Sequence, residues 1–258
     1  ARKTENILVF GQCSNWGKMR AHQTSTMGKD SEYFKEGAKH AYGITFDNQG
    51  NLYVSYQHTN AILRSTRDEF HPLPLPQAMK DREASEGIKL YEGTFYQFGL
   101  PIIQKSKDQG IRSIAWANHS SAAGELLWVA NEFENKVYIL NHDAAVVHTL
   151  TVAGPIGIYY NRNDEGIYVK NRIYVGSRSG KNRGSVLCFD TNTFELLGTY
   201  FMLGMSHPTG IVVHQSTLYV ADQSLNSILT FDLGTSRFIS TIWSRDFGSI
   251  EQIALTPC

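Results

Sequence analysis

One sentence-like unit recurs along this chain, and that recurrence limits the fold more than any other feature. Its clearest copy is Met205 to Leu233, MSHPTGIVVHQSTLYVADQSLNSILTFDL. Apolar runs over Gly210 to Val213, Thr217 to Ala221 and Ser227 to Phe231 are separated by polar turns, at His214 to Ser216 and around Asn226. Short β-branched and aromatic runs bounded by such turns read as strands. A fourth run, Arg237 to Trp243, completes a four-stranded meander.

The second strand of the unit locates the other copies. They are NILVFGQCSNWGKM (Asn6 to Met19), NLYVSYQHTNAIL (Asn51 to Leu63), LLWVANEFENKVYIL (Leu126 to Leu140) and RIYVGSRSGKNRGSVLCF (Arg172 to Phe189). Each carries an Asn in its turn, at Asn15, Asn60, Asn135, Asn182 and Asn226, where a left-handed backbone is tolerated. A shorter strand precedes four copies: YGITF (Tyr42 to Phe46), RSIAW (Arg112 to Trp116), IGIYY (Ile156 to Tyr160) and TGIVV (Thr209 to Val213). The fifth such strand, EQIAL (Glu251 to Leu255), stands at the end of the chain, whereas NILVF at the start has none before it. Each is the missing half of the other. Pairing them would join the first and last strands and remove an unpaired sheet edge.

The expected fold is therefore all-β: a single β-propeller over residues 1–258, with five four-stranded blades closed by pairing of the N-terminal strands with the C-terminal one. The outermost strands are SEYFKEG, GTFYQFG, AVVHTLTV, FELLGTYFM and RFISTIW. An insertion at His71 to Gly93 carries a Pro run that cannot sit inside a sheet. It reads as a surface excursion, helical over Gln77 to Glu86; strands of a sixth blade are the alternative.

Lys plus Arg and Asp plus Glu number 24 each, so no basic field draws nucleic acid. No apolar run reaches the ~20 residues of a membrane-spanning helix, and ARKTENILVF lacks the apolar stretch of a signal peptide. The missing initiator Met suggests a piece of a larger chain.

HPTGIVVHQSTLYVADQSLNSILTFD resembles an NHL repeat, a propeller-blade family patterned as P-x-G-I-x-V, LYVAD and a closing N-x-x-I-x-x-F; AYGITFDNQGNLYVSYQHTNAILR is a second match. The other three copies match in part. The resemblance implies a propeller and spans functions from protein and RNA binding to lyase chemistry, so fold does not choose among them.

Ligands of propellers usually sit at one mouth of the channel, near the starts of the inner strands. Alignment places Tyr42, Arg112, Ile156, Thr209 and Glu251 on one tier there. Two positions earlier stand His40, Gly110, Gly154, His207 and Ser249. His40 and His207 are the candidate metal ligands, for Zn or Ca, with Glu251 as a third; Tyr42, Arg112, Thr209 and Glu251 are candidate binding residues. The resemblance extends loosely to amidating-lyase relatives, which use His ligands, an Arg and a Tyr. A structural alternative is an Arg112–Glu251 ion pair plugging the channel, with His207 capping a loop. No complete catalytic motif occurs, and no cofactor is firmly implied. Asp47 to Asn51, DNQGN, reads as a hairpin turn and not a calcium loop. Basic SRSGKNRG, Ser177 to Gly184, reads as a solvated loop.

Strand spacing keeps Cys13 and Cys258 too far apart for a bridge. Cys188 reads as a buried free thiol, and Cys258 as a partner for a segment or molecule outside the chain. Asn118-His119-Ser120 is an N-glycosylation sequon in a polar turn. These features favour a secreted glycoprotein, with a cytosolic repeat domain as the alternative. The expected function is a non-enzymatic extracellular module for protein interaction, structure or self-assembly, using outer aromatics Tyr33, Phe34, Tyr91, Phe95 and Tyr96. The runner-up is a metal-assisted lyase or hydrolase in which Arg112 holds an anionic substrate and Glu251 or Tyr42 moves a proton. A carbohydrate-binding lectin ranks third, because the polar turns differ too much for equivalent pockets.

Overall fold

Residues 41–57, 61–72, 91–93, 96–98, 110–120, 124–161, 166, 168–179, 183–243, 250 and 252–253 are described by the structure, a computed structural model. Blade 1 contains β1 (Ala41–Phe46), β2 (Leu52–Tyr56) and β3 (Ala61–Ser65). The chain then leaves through β4 (Phe70–Pro72) and returns through β5 (Tyr91–Gly93). These two pair only with each other, so the ends of the insertion form a separate ladder beside the blade. The expected helix at Gln77 to Glu86 lies outside the described residues. Strand β6 (Tyr96–Gln97), from the predicted GTFYQFG segment, completes blade 1 against β3.

Blade 2 is β7 (Ile111–Asn118), β8 (Glu125–Asn131), β9 (Lys136–Leu140) and β10 (Val146–Thr151). Blade 3 is β11 (Pro155–Tyr159), β12 (Arg172–Arg178), β13 (Gly184–Asp190) and β14 (Leu196–Tyr200). Blade 4 is β15 (Pro208–His214), β16 (Thr217–Asp222), β17 (Ser227–Asp232) and β18 (Phe238–Trp243). All four are antiparallel meanders, as the repeat predicts. The molecule is a β-propeller, and among the described residues no helix is long and apolar enough to cross a membrane.

The turns obey the backbone chemistry read from the sequence. Asn135 and Asn226 adopt φ of 55° and 52°, the left-handed region that Asn accepts more readily than most residues. Asp47 organises the DNQGN turn: its carboxylate accepts from the backbone N–H of Gln49 and Asn51, the Asn51 side-chain amide and the Tyr53 hydroxyl, at 2.7 to 3.0 Å.

Apolar cores lie between successive blades, and strand alternation builds them. On β8, Leu127 and Val129 face blade 1, joining Tyr53, Ile62 and Trp116. Leu126 and Trp128 face the other way, toward Ile173, Val175 and Phe189 of blade 3. Tyr174 on β12 then faces blade 4 with Leu218, Val220 and Phe231. A strand buried on both faces has no polar alternation, which is why the second strands read as continuous apolar runs. Cys188 is a buried free thiol in the last of these cores, and burial pushes its pKa up to about 11. Cys13 and Cys258 lie outside the described residues.

The inner strands pack side by side, and one small-residue position sets their spacing. A Cβ at Gly43 would stand 2.8 Å from the Ile114 amide nitrogen of the next blade. One at Gly210 would stand 2.8 Å from that of Ile253. Neither contact is tolerable, so the glycines of YGITF and TGIVV permit close strand approach. Residues 250 and 252–253 thus run beside β15 in the place of a fifth inner strand. The segments expected to close the ring with it, Asn6 to Met19 and SEYFKEG, lie outside the described residues.

Candidate functional site at the channel mouth

The starts of the inner strands pair with the ends of the second strands: Ile111 with Asn131, Pro155 with Ser177, and Pro208 with Asp222. The residue that follows each of these paired second-strand residues is then held by one repeated backbone bond. Glu132 N–H donates to Gly110 O at 2.8 Å, Arg178 N–H to Gly154 O at 2.9 Å, and Gln223 N–H to His207 O at 3.0 Å. Three blades thereby present equivalent residues at one end of the inner strands.

The Asp of LYVAD fixes the fourth blade's contribution. Asp222 is fully buried, and its carboxylate accepts from the backbone N–H groups of Ser206 and His207, at 2.8 and 2.9 Å, and of Leu225 at 2.9 Å. Its role is to hold the loop that carries His207.

Arg112 and Arg178 converge on Glu132 from adjacent blades. Arg112 donates Nε to Glu132 Oε2 at 2.6 Å, and its Nη2 reaches the same oxygen. Arg178 donates Nη1 to Glu132 Oε1 at 3.1 Å. The Arg112 guanidinium also lies over the Tyr42 ring, 5.2 Å from its centroid. His207 stands within this field. Burial, then Arg178, and more weakly Arg112, hold its pKa below the ordinary value, while Glu132 and Asp222 pull the other way. At neutral pH the imidazole is uncharged, leaving one ring N–H donor and one acceptor nitrogen.

Of the residues expected at the mouth, Tyr42, Arg112 and His207 are thus gathered there. Thr209 is buried, with its hydroxyl 3.4 Å from both Ala221 O and Ile250 O, between blade 4 and the following segment. Ile156, on the same tier, is fully buried. Among the described residues of that tier, Ile156 and Thr209 are buried between blades, whereas Tyr42 and Arg112 reach the mouth. His40 and Glu251 lie outside the described residues. Arg112 pairs with Glu132, while the expected partner Glu251 lies outside the described residues. Sequence reasoning missed Glu132 and Arg178, although extending the repeat alignment one residue past the second strand selects both, together with Gln57 and Gln223. A cation at His207 would face two guanidinium groups, which oppose it electrostatically.

Among the described residues, one group has three candidate metal-ligand side chains close enough together: Asp47, Glu125 and His142, at the opposite end of the inner strands. Asp47 already accepts four hydrogen bonds, as set out above, and Glu125 Oε1 accepts from the Asn48 N–H at 2.7 Å. His142 Nε2 lies 3.6 Å from that Glu125 oxygen, and its ring stacks on Trp116 with centroids 4.4 Å apart. The group ties the hairpin turn of blade 1 to blade 2. Asn118, exposed at the end of β7, leaves its sequon accessible, and the Ser120 N–H donates to Asn192 Oδ1 at 2.7 Å.

No protein-family model and no curated protein matches the sequence. Solved structures do match in fold. A streptogramin B lyase structure aligns with a TM-score of 0.56 at 15% identity, over 82% of this chain and 57% of that one. The virginiamycin B lyase of Staphylococcus aureus aligns at 0.51 and 15%, over 82% and 58%. A chain of a mitotic checkpoint complex aligns at 0.51 and 14%, over 78% and 49%. This chain spans about half to three-fifths of their lengths, and at such identities the likeness is one of fold: the chain is built as a β-propeller.

Proposed function

We propose that this NHL-like propeller is a non-enzymatic extracellular protein-interaction module whose contact surface is its outer rim. One observation carries the reading. Outer strands β10, β14 and β18 each open with two consecutive exposed apolar residues: Val146–Val147, Leu196–Leu197 and Phe238–Ile239. The register shifts at the same place in each, so Val147, Leu197 and Ile239 are the extra residues of equivalent β-bulges. Phe201, Leu203 and Ile242 extend this apolar surface, Leu203 being 84% exposed. The three strands contain no Lys, Arg, Asp or Glu, the charges that usually protect a sheet edge. Repeated apolar groups on outer strands that carry no charge of their own favour burial against another protein. The outer aromatics named from the sequence have side chains outside the described residues, so the aliphatic bulges carry the reading. The exposed sequon at Asn118 supports the extracellular setting.

The test compares proteins recovered from medium after proximity labelling by the wild type and by Val147→Glu, Leu197→Glu, Ile239→Glu combined, with sedimentation to detect self-association. Partners or oligomers retained by the rim variant, with its fold intact, would overturn the reading.

A further inference from the structure

We propose that the mouth is also a binding site for a small ligand bearing an oxyanion, a carboxylate or phosphate, gripped by Arg178 with Arg112 behind it. The rim is a different surface, so this site stands or falls independently of the rim reading.

The charge balance supplies the first reason. Two guanidiniums meet one carboxylate, Glu132, and His207 adds no charge at neutral pH. The Asp222 carboxylate keeps its charge but is turned to three backbone donors, so among the described residues Glu132 is the acid that contacts the two arginines. Arg112, with 14% of its side chain exposed, takes Glu132 as its partner through two donors, so Arg178 is the guanidinium left with a single contact to that carboxylate. An incoming anion would engage the remaining donors of Arg178.

Access and donor geometry supply the second. Half of the Arg178 side chain is exposed, and its contact with Glu132 uses Nη1 alone. A guanidinium carries five N–H donors in a planar fork that matches carboxylate and phosphate oxygens. Glu132 already shows that a carboxylate fits between these two arginines.

The third is an independent polar group on the same tier. Gln57, the blade 1 counterpart of Glu132 and Arg178, is buried, and its side-chain oxygen has no hydrogen-bond partner among the described residues. Such a buried acceptor calls for a donor.

Calorimetric titration of the full chain with succinate and, separately, with inorganic phosphate, at low ionic strength, tests the site. Saturable binding of either probe is expected, weakened about tenfold or more in Arg178→Ala, as loss of a charge-assisted contact implies, and partly restored in Arg178→Lys. Glu132→Gln removes the competing carboxylate and should tighten binding several-fold. Succinate binding alone assigns a carboxylate ligand, and phosphate binding alone assigns a phosphate. Failure of both probes to bind, or equal binding by wild type and Arg178→Ala, overturns the proposal. Arg178 is half exposed, so its variants remain decisive even if Glu132→Gln does not fold.

Discussion

At the mouth, one carboxylate lies between two guanidiniums and beside a neutral imidazole; at the other end of the inner strands, two carboxylates, Asp47 and Glu125, lie beside one imidazole, His142. Similar side chains serve different ends because their surroundings differ. Glu125 is fully buried and joins the blade 1 turn through the Asn48 N–H, while Asp47 has its acceptor positions filled by that same turn. Arg178 reaches into solvent with most of its donors unengaged by the described residues. The Asp47, Glu125 and His142 group staples two blades, and the mouth leaves capacity for a ligand.

The widest gap between the two ends should appear in stability. Glu125→Ala removes the fully buried carboxylate that accepts from the Asn48 N–H across the blade interface and should cost about 1.5 to 3 kcal/mol, as expected for a hydrogen bond to a charged group. Urea unfolding measures it, and a loss below ~0.5 kcal/mol would erase the contrast with the mouth.

A smaller effect separates the ends by pH. The folded pKa of His207 is depressed, so below pH 6.5 the unfolded chain binds more protons at this residue than the folded one. Stability contributed by neutral His207 is therefore present above that pH, falls as pH drops, and is fully lost below the folded pKa. His207→Gln should flatten the acid side of a stability–pH profile measured by denaturant midpoint. An unchanged profile would place the imidazole outside the field of Arg178 and Arg112.

Least affected should be the stability of Arg178→Ala, within about 1 kcal/mol of wild type because the pair is half exposed and screened. A larger loss, seen in the same unfolding experiment, would mean that Arg178 is a structural staple like Glu125.

Much of the scaffold was legible in the chain. Strand β16 is the expected Thr217 to Ala221 run extended by Asp222, Asn135 and Asn226 sit in left-handed turns, and Cys188 is buried. These are local properties: strand period, turn backbone and side-chain polarity act within a few residues. The site was less legible. Arg112 and His207 were named, but Thr209 was grouped with them because alignment reports a tier and not a side chain's reach. Glu132 and Arg178 meet across 46 residues of sequence, and Glu125 meets Asn48 across 77.

The sequence alone determined that this protein repeats a four-stranded unit, because the alternation of apolar runs and turn residues admits few other structures. Which charged groups share a site was decided only when the blades packed. Inner strands brought close at Gly43 and Gly210 juxtapose second-strand ends from different blades, and there electrostatics depends on distances that no local pattern encodes.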